Sequence, residues 1–252
     1  MHIMSQYKDA LHVADLGVTQ HICGNILWHL CYTDMLKGTP TENMAQVWGE
    51  ISDLYWARGT SSQFSHMTLN TFCEPEKPNA KYPHLKGKGA EARHLVPILR
   101  TLWHGHARPG NRYEGHIGLC IDSLNSFYEG LDYNVDGVFP FHLPTAVSQK
   151  LLADVVTCLQ VYSLLTKYAF DLDKRLWNLV PKHHYLWHLA HDASHLNPRM
   201  AWCYSNEDFV GKLAVIGMST RHGQAAAYRS RQLVDKYTLG ITLRMFHAIA
   251  TA

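Results

Sequence analysis

Four histidines, His184, His188, His191 and His195, stand at offsets 0, 4, 7 and 11, so a helix drawn through them carries all four imidazoles on one face. Neutral imidazoles at i and i+4 are the geometry in which helices hold zinc or another transition metal. The stretch has no HExxH pattern and no cysteine or carboxylate at a recognised zinc spacing, and Asp192 points partly off the stripe. The plainer alternative is a polar outer face, or histidines covered by a neighbouring lobe. Just downstream, Glu207 and Asp208 follow Ser205, a residue suited to cap a helix with Asp208 three positions on. Acids in a first helical turn are favoured by the exposed amides and the helix dipole alone. A catalytic reading needs two or three carboxylates gathered around Mg²⁺, which prefers oxygen ligands and keeps water. Two such ions polarise a phosphodiester and activate the attacking hydroxyl. The third candidate is Asp9-Ala10-Leu11-His12, although Asp at a helix start is also an ordinary cap. The fourth is basic: Arg221, His222, Arg229 and Arg231, with the loop residues Lys86 and Lys88, are of the type that contacts phosphates. Charges like these also make ordinary solvated faces. No phosphate-cradling glycine loop, zinc finger or nucleophile elbow is present.

The elements that must position these residues are mostly helices. Val18, Ile22, Ile26 and Leu30 recur every four residues and predict an apolar helix face, closed by Gly38. Thr39-Pro40-Thr41-Glu42 then combines a capping Thr, a Pro at the first helical position and a Glu placed to return a bond. The helix it opens carries Met44, Val47, Trp48, Ile51, Leu54 and Tyr55 and stops at Gly59. Residues 60–89 change character: Pro75, Pro78, Pro83, Gly87 and Gly89 alternate with Lys77, Lys81, Lys86 and Lys88. They read as a long basic loop, of the kind that is commonly functional or mobile. A helix resumes near Ala90, with Pro97 expected to kink it. Another buries Ile117, Ile121, Leu124, Phe127 and Leu131 after the Arg108-Pro109-Gly110 turn. From Pro144 the longest helix aligns Val147, Leu151, Val155, Cys158, Tyr162 and Leu165 on a wide apolar face, which predicts the centre of the core. Between Lys182 and Leu196 a strand-like alternation competes with a helical period; the helical period holds for longer and predicts a helix ended by Asn197-Pro198. A last helix is expected from about Gln224 to Ala250.

At 252 residues the chain can bury a sizeable core, and 46% hydrophobic against 17% charged residues describes an ordered globular protein. A net charge of +2 gives no strong global field toward nucleic acid. Six scattered cysteines without CxxC spacing read as buried thiols of a reducing compartment. Residues 16–33 carry no formal charge, but Gln20, His21, Asn25 and His29 interrupt them, so a buried helix is expected there in place of a membrane span. The start of the chain has no basic-then-apolar signal pattern. An intracellular protein, nuclear or cytoplasmic, with no membrane association is the expectation.

Together these pieces resemble the catalytic region of eukaryotic cut-and-paste DNA transposases of the hAT and CACTA type. Asp9-Ala10-Leu11-His12 looks like the C/D-x-x-H signature that leads into their helical insertion domain. Leu186, Leu189, Ala190, Asp192, Leu196 and Pro198, followed by Ser205-Asn206-Glu207-Asp208-Phe209, look like the hAT acid-bearing end. Lys182-His183-His184-Tyr185-Leu186-Trp187-His188 looks like the CACTA Lys-x-His-x-Leu-x-His pattern. The resemblance implies a mainly α fold: a multi-helix insertion-like domain over residues 1–180, and a segment 181–252 retaining the last acid-bearing helix of an RNase H-like core. It implies Glu207 as the third acid of an Asp-Asp-Glu set, Mg²⁺ as the cofactor, and His12 as an organiser of strand or flipped-base geometry. The chain departs from the pattern at Asp208, where the family has Arg, and at Gly211, where Ser is common. The strands bearing the first two acids should precede Asp9, and only eight residues do. Glu91 is a rival for the third acid, matched over a shorter run. The expected function is therefore a truncated or repurposed transposase-like protein, catalytically incomplete, that binds DNA or associates with itself. The alternatives are a helical metal protein using the histidine face, and a structural interaction module rich in Trp and Tyr.

Overall fold

The computed structural model describes residues 8–204, Arg231 and residues 234–239. Among these, helix dominates and no strand is formed, one isolated bridge between Val135 and Val138 aside. The order is a π-helical turn at Leu11–Val18 running directly into α1 (Thr19–Tyr32), then α2 (Pro40–Arg58), α3 (Gly89–His106), α4 (Arg112–Leu131), α5 (Thr145–Asp171) and α6 (Pro181–Asp192). None of the described helices is long and apolar enough to cross a membrane. Met1–Trp202 forms one compact unit and Cys203–Ala252 a second. The predicted division after residue 180 thus falls inside the first unit, because Leu186 and Leu189 of α6 belong to the same buried core as α1 and α5.

Local chemistry sets the helix starts. Thr39 Oγ1 accepts the Glu42 amide while Glu42 Oε2 accepts the Thr39 amide at 2.7 Å, the reciprocal cap expected of this tetrad. Asn111 Oδ1 accepts the amides of Tyr113 and Glu114 and opens α4. Glu91 Oε2 accepts the Lys88 amide at 2.8 Å, so this rival for a catalytic acid works as a cap at the start of α3.

The centre of the core is α1, not the long α5. Every residue from Thr19 to Cys31 is buried, whereas α5 buries one face and leaves Leu164 and Phe170 exposed. A helix enclosed on all sides has to satisfy its polar side chains internally. Asn25 does so twice: its Nδ2 donates to the His21 carbonyl at 2.7 Å and its Oδ1 accepts the Trp177 amide at 2.9 Å. Gln20 Nε2 donates to the Gly87 carbonyl at 3.0 Å. The polar residues that argue against a membrane span in the sequence are the fastenings of the central helix.

The basic stretch 60–89, expected as a functional or mobile loop, packs on the core through part of its length. Phe64, Met67, Leu69, Phe72 and Leu85 are buried, and the Leu85 amide donates to the Gln20 carbonyl at 3.0 Å. Gly24 makes the approach possible: a Cβ there would stand 2.9 Å from the His84 nitrogen and 3.0 Å from the Leu85 nitrogen.

Candidate functional site

The two motif-bearing segments lie side by side. Asp9 caps the π-helical turn, its Oδ1 accepting the Leu11 amide at 3.1 Å, and its carboxylate also pairs with the His12 imidazole. Leucine, alanine and valine of that turn go inward, and His12 faces solvent. Within the turn the Gly17 backbone leaves helical geometry, and α6 settles against it through Lys182. Lys182 Nζ donates to the Leu16 carbonyl at 2.7 Å, and its Cδ lies where a Gly17 side chain would begin, 2.7 Å from an ideal Cβ. Lys8 Nζ stands 5.7 Å above the Tyr185 ring, a second tie between the segments. The DxxH start and the Lys-x-His-x-Leu-x-His helix, well over a hundred residues apart in sequence, are neighbours in the fold. π-Turns of this kind recur at functional sites.

The histidine stripe is divided by the end of its helix. α6 stops at Asp192, and the His195 and Leu196 amides both return to the Asp192 carbonyl, so His195 lies beyond the helix. His191 is turned to Trp187, with ring centroids 5.1 Å apart and nearly parallel, and to Asp192. What remains is a pair: His184 Nε2 and His188 Nε2 face each other at 3.0 Å on the outside of α6. Among the described residues no group of three or more His, Cys, Asp or Glu is gathered so as to hold a metal ion.

His183, one position before the pair, points inward. It packs on Tyr162 and stands 6.2 Å from His21, which meets His84 edge-on at 4.7 Å. Burial, with the neighbouring imidazoles, pulls the His21 pKa down to about 3, and burial lowers His183 and His84 as well. This inner row is neutral imidazole near pH 7.

Lys86 and Lys88 are exposed at the rim of the docked loop, and Lys86 Nζ also reaches the Asn70 carbonyl at 2.8 Å. Arg231 is exposed on a helical turn. Glu207, Asp208, Arg221 and Arg229 lie outside the described residues. Comparison with protein-family models, curated proteins and solved structures returns no match.

Two buried constellations carry no sequence signal. In the first, Trp177 Nε1 donates to the Tyr113 hydroxyl at 2.9 Å, and Tyr113 bonds His29 Nε2 at 3.0 Å. With its oxygen accepting the indole, Tyr113 has its own proton to offer the imidazole. Burial, assisted by Lys174, holds His29 neutral with a pKa of about 3, and burial pushes Tyr113 up to about 12. Trp177 is fully buried with φ of 57°, a left-handed conformation costly for a bulky residue. Its backbone is held there by Asn25 and by Thr166 Oγ1, which donates to its carbonyl at 2.7 Å. His29, Tyr113, Arg108, Glu114 and Lys174 are among the residues lining a partly open cavity of about 200 Å³. Arg108 is already committed to Glu114 and Asp34 there. In the second constellation, the wholly buried Asp15 accepts the Tyr128 hydroxyl at 2.5 Å, and Thr19 donates to Tyr128 at 2.7 Å. Arg93 covers the Tyr128 ring and pairs with Asp132, as does Arg199. Only neighbours distant in sequence reveal either group.

Proposed function

We propose that this chain is a repurposed relative of the hAT- and CACTA-type transposases: a helical protein that binds duplex DNA without carrying out strand transfer by itself. One observation supports the reading above the others. The DxxH segment and the Lys-x-His-x-Leu-x-His helix, two of the stretches on which the resemblance rests, are joined directly by Lys182 and the Leu16 carbonyl at 2.7 Å. The Asp9 carboxylate is spent on capping a turn and on His12, an arrangement suited to orienting an imidazole and poorly suited to holding Mg²⁺. In this reading Glu207 belongs to a remnant of an RNase H-like core, and the exposed Lys86, Lys88 and Arg231 contact phosphates.

The test is duplex binding by fluorescence anisotropy across a salt series. Each phosphate neutralised contributes a slope of about −0.9 in log K against log salt. Lys86→Ala with Lys88→Ala, and Arg229→Ala with Arg231→Ala, should each flatten that slope by about two contacts' worth while leaving the far-UV circular dichroism unchanged. Binding that ignores salt, or concentration-dependent self-association with no DNA affinity, overturns the proposal, the second in favour of an interaction module.

A further inference from the structure

We infer that His184 and His188 form a two-imidazole chelate for a divalent transition-metal ion on the outer face of α6. The two Nε2 atoms are 3.0 Å apart, with ring centroids at 4.5 Å and planes crossed at 84°. A contact that short between imidazole nitrogens requires a proton on one and a lone pair on the other. Metal takes the place of that proton once the donor ring passes through solvent to its Nδ1–H tautomer, so that both Nε2 lone pairs are free; with Zn–N or Cu–N bonds of about 2.0–2.1 Å, nitrogens 3.0 Å apart subtend about 94° at the metal. Opening the pair by about 0.3–0.4 Å reaches the tetrahedral angle, a motion within the freedom of two rings on the outside of a helix.

The surroundings keep the pair intact as a bidentate unit. The backbone between them is regular helix, which sets the i, i+4 relation without loop ordering. The buried Leu186 and Leu189 anchor the opposite face of α6. His191 is stacked on Trp187 and His195 lies past the helix end, so neither completes a protein cage. The ion therefore keeps solvent-filled positions, and affinity follows the intrinsic preference of imidazole, highest for Cu²⁺ with Ni²⁺ and Zn²⁺ below it. This site is independent of the DNA-binding reading.

Isothermal titration of the full chain with CuCl₂, NiCl₂ and ZnCl₂ tests it, because a histidine-rich protein also binds metal weakly elsewhere. The wild-type chain should take up one equivalent more tightly than the rest, in the order Cu²⁺ above Ni²⁺ and Zn²⁺. His184→Ala and His188→Ala should each weaken that first equivalent at least about tenfold, and the double variant should be little worse than either single one. His66→Ala, an exposed histidine on a different segment, should leave it unchanged. Both helix positions are at the surface, and matching thermal melts check that the variants fold. Retention of the tight equivalent in either single variant, its loss in His66→Ala, or no tight equivalent in the wild type overturns the inference.

Discussion

Replacing Gly24 by Ala separates a docked basic segment from a mobile one by the sign of a stability change. In an exposed helix interior Gly→Ala is favourable by about 1 kcal/mol, since alanine loses less conformational entropy. Gly49 on α2 measures that gain cleanly, because a Cβ there has no atom within 4 Å. At Gly24 the same Cβ meets the His84 nitrogen at 2.9 Å, the Leu85 nitrogen at 3.0 Å and the His84 Cα at 3.1 Å. These are backbone atoms, so no side-chain rotation relieves them. Overpacking of this kind costs about 1–3 kcal/mol. Lifting the segment away instead gives up burial of Leu85, worth about 1.5–3 kcal/mol, and its bond to Gln20, about 0.5–1.5 kcal/mol. The cheaper route is taken, so Gly24→Ala should be less stable than Gly49→Ala by about 1–3 kcal/mol. Urea unfolding of the two variants and the parent, compared at constant m, reads the difference. If Gly24→Ala stabilises the chain as much as Gly49→Ala, the segment 84–87 does not lie on α1 and the account of the loop fails.

The buried Asp15 contact is tested by Tyr128→Phe, which removes the hydroxyl that Asp15 accepts at 2.5 Å while keeping the ring that Arg93 covers; a loss of about 1.5–3 kcal/mol is expected in the same assay. An unchanged midpoint would mean that the bond contributes nothing net. Acid should destabilise the fold earlier than carboxylates alone explain. His21 and His29 have folded pKa values of about 3, below the ordinary value of 6.5, so the unfolded chain binds more protons between those limits. Stability from these two groups is present in full above pH 6.5 and is lost as pH falls toward 3, by up to about 1.4 kcal/mol per pH unit for each. Denaturation midpoints at pH 7, 6 and 5 should fall progressively, and a flat profile over that range would show the two imidazoles to be solvated.

Helix positions could be read where the signal is local. Thr39 to Glu42 specify a start because the cap and its return bond lie within four residues. The rank of the helices could not be read this way. The apolar face of α5 is wide and regular, yet α1, with Gln20, His21, Asn25 and His29 along it, is the enclosed one, because Gln20, Asn25 and His29 are satisfied by Gly87, Trp177 and Tyr113 from elsewhere in the chain. Pro and Lys between residues 75 and 88 suggest a solvated loop, whereas its Phe64, Met67, Phe72 and Leu85 set its true place.

The candidate site divides along the same line. Spacing alone was enough to put His184 and His188 on one helical face, since i, i+4 adjacency is a property of the α-helix itself. Where that helix stops, which imidazole turns to Trp187, and that Lys182 rests on Gly17 are decided by packing between segments remote in sequence. So is the neutral state of His29, which depends on exclusion from water and on the nearby Lys174. Backbone hydrogen bonding is short-ranged and periodic, and leaves its mark in the order of residues. Desolvation and side-chain partnership depend on which surfaces meet, and those exist only once the chain has closed on itself.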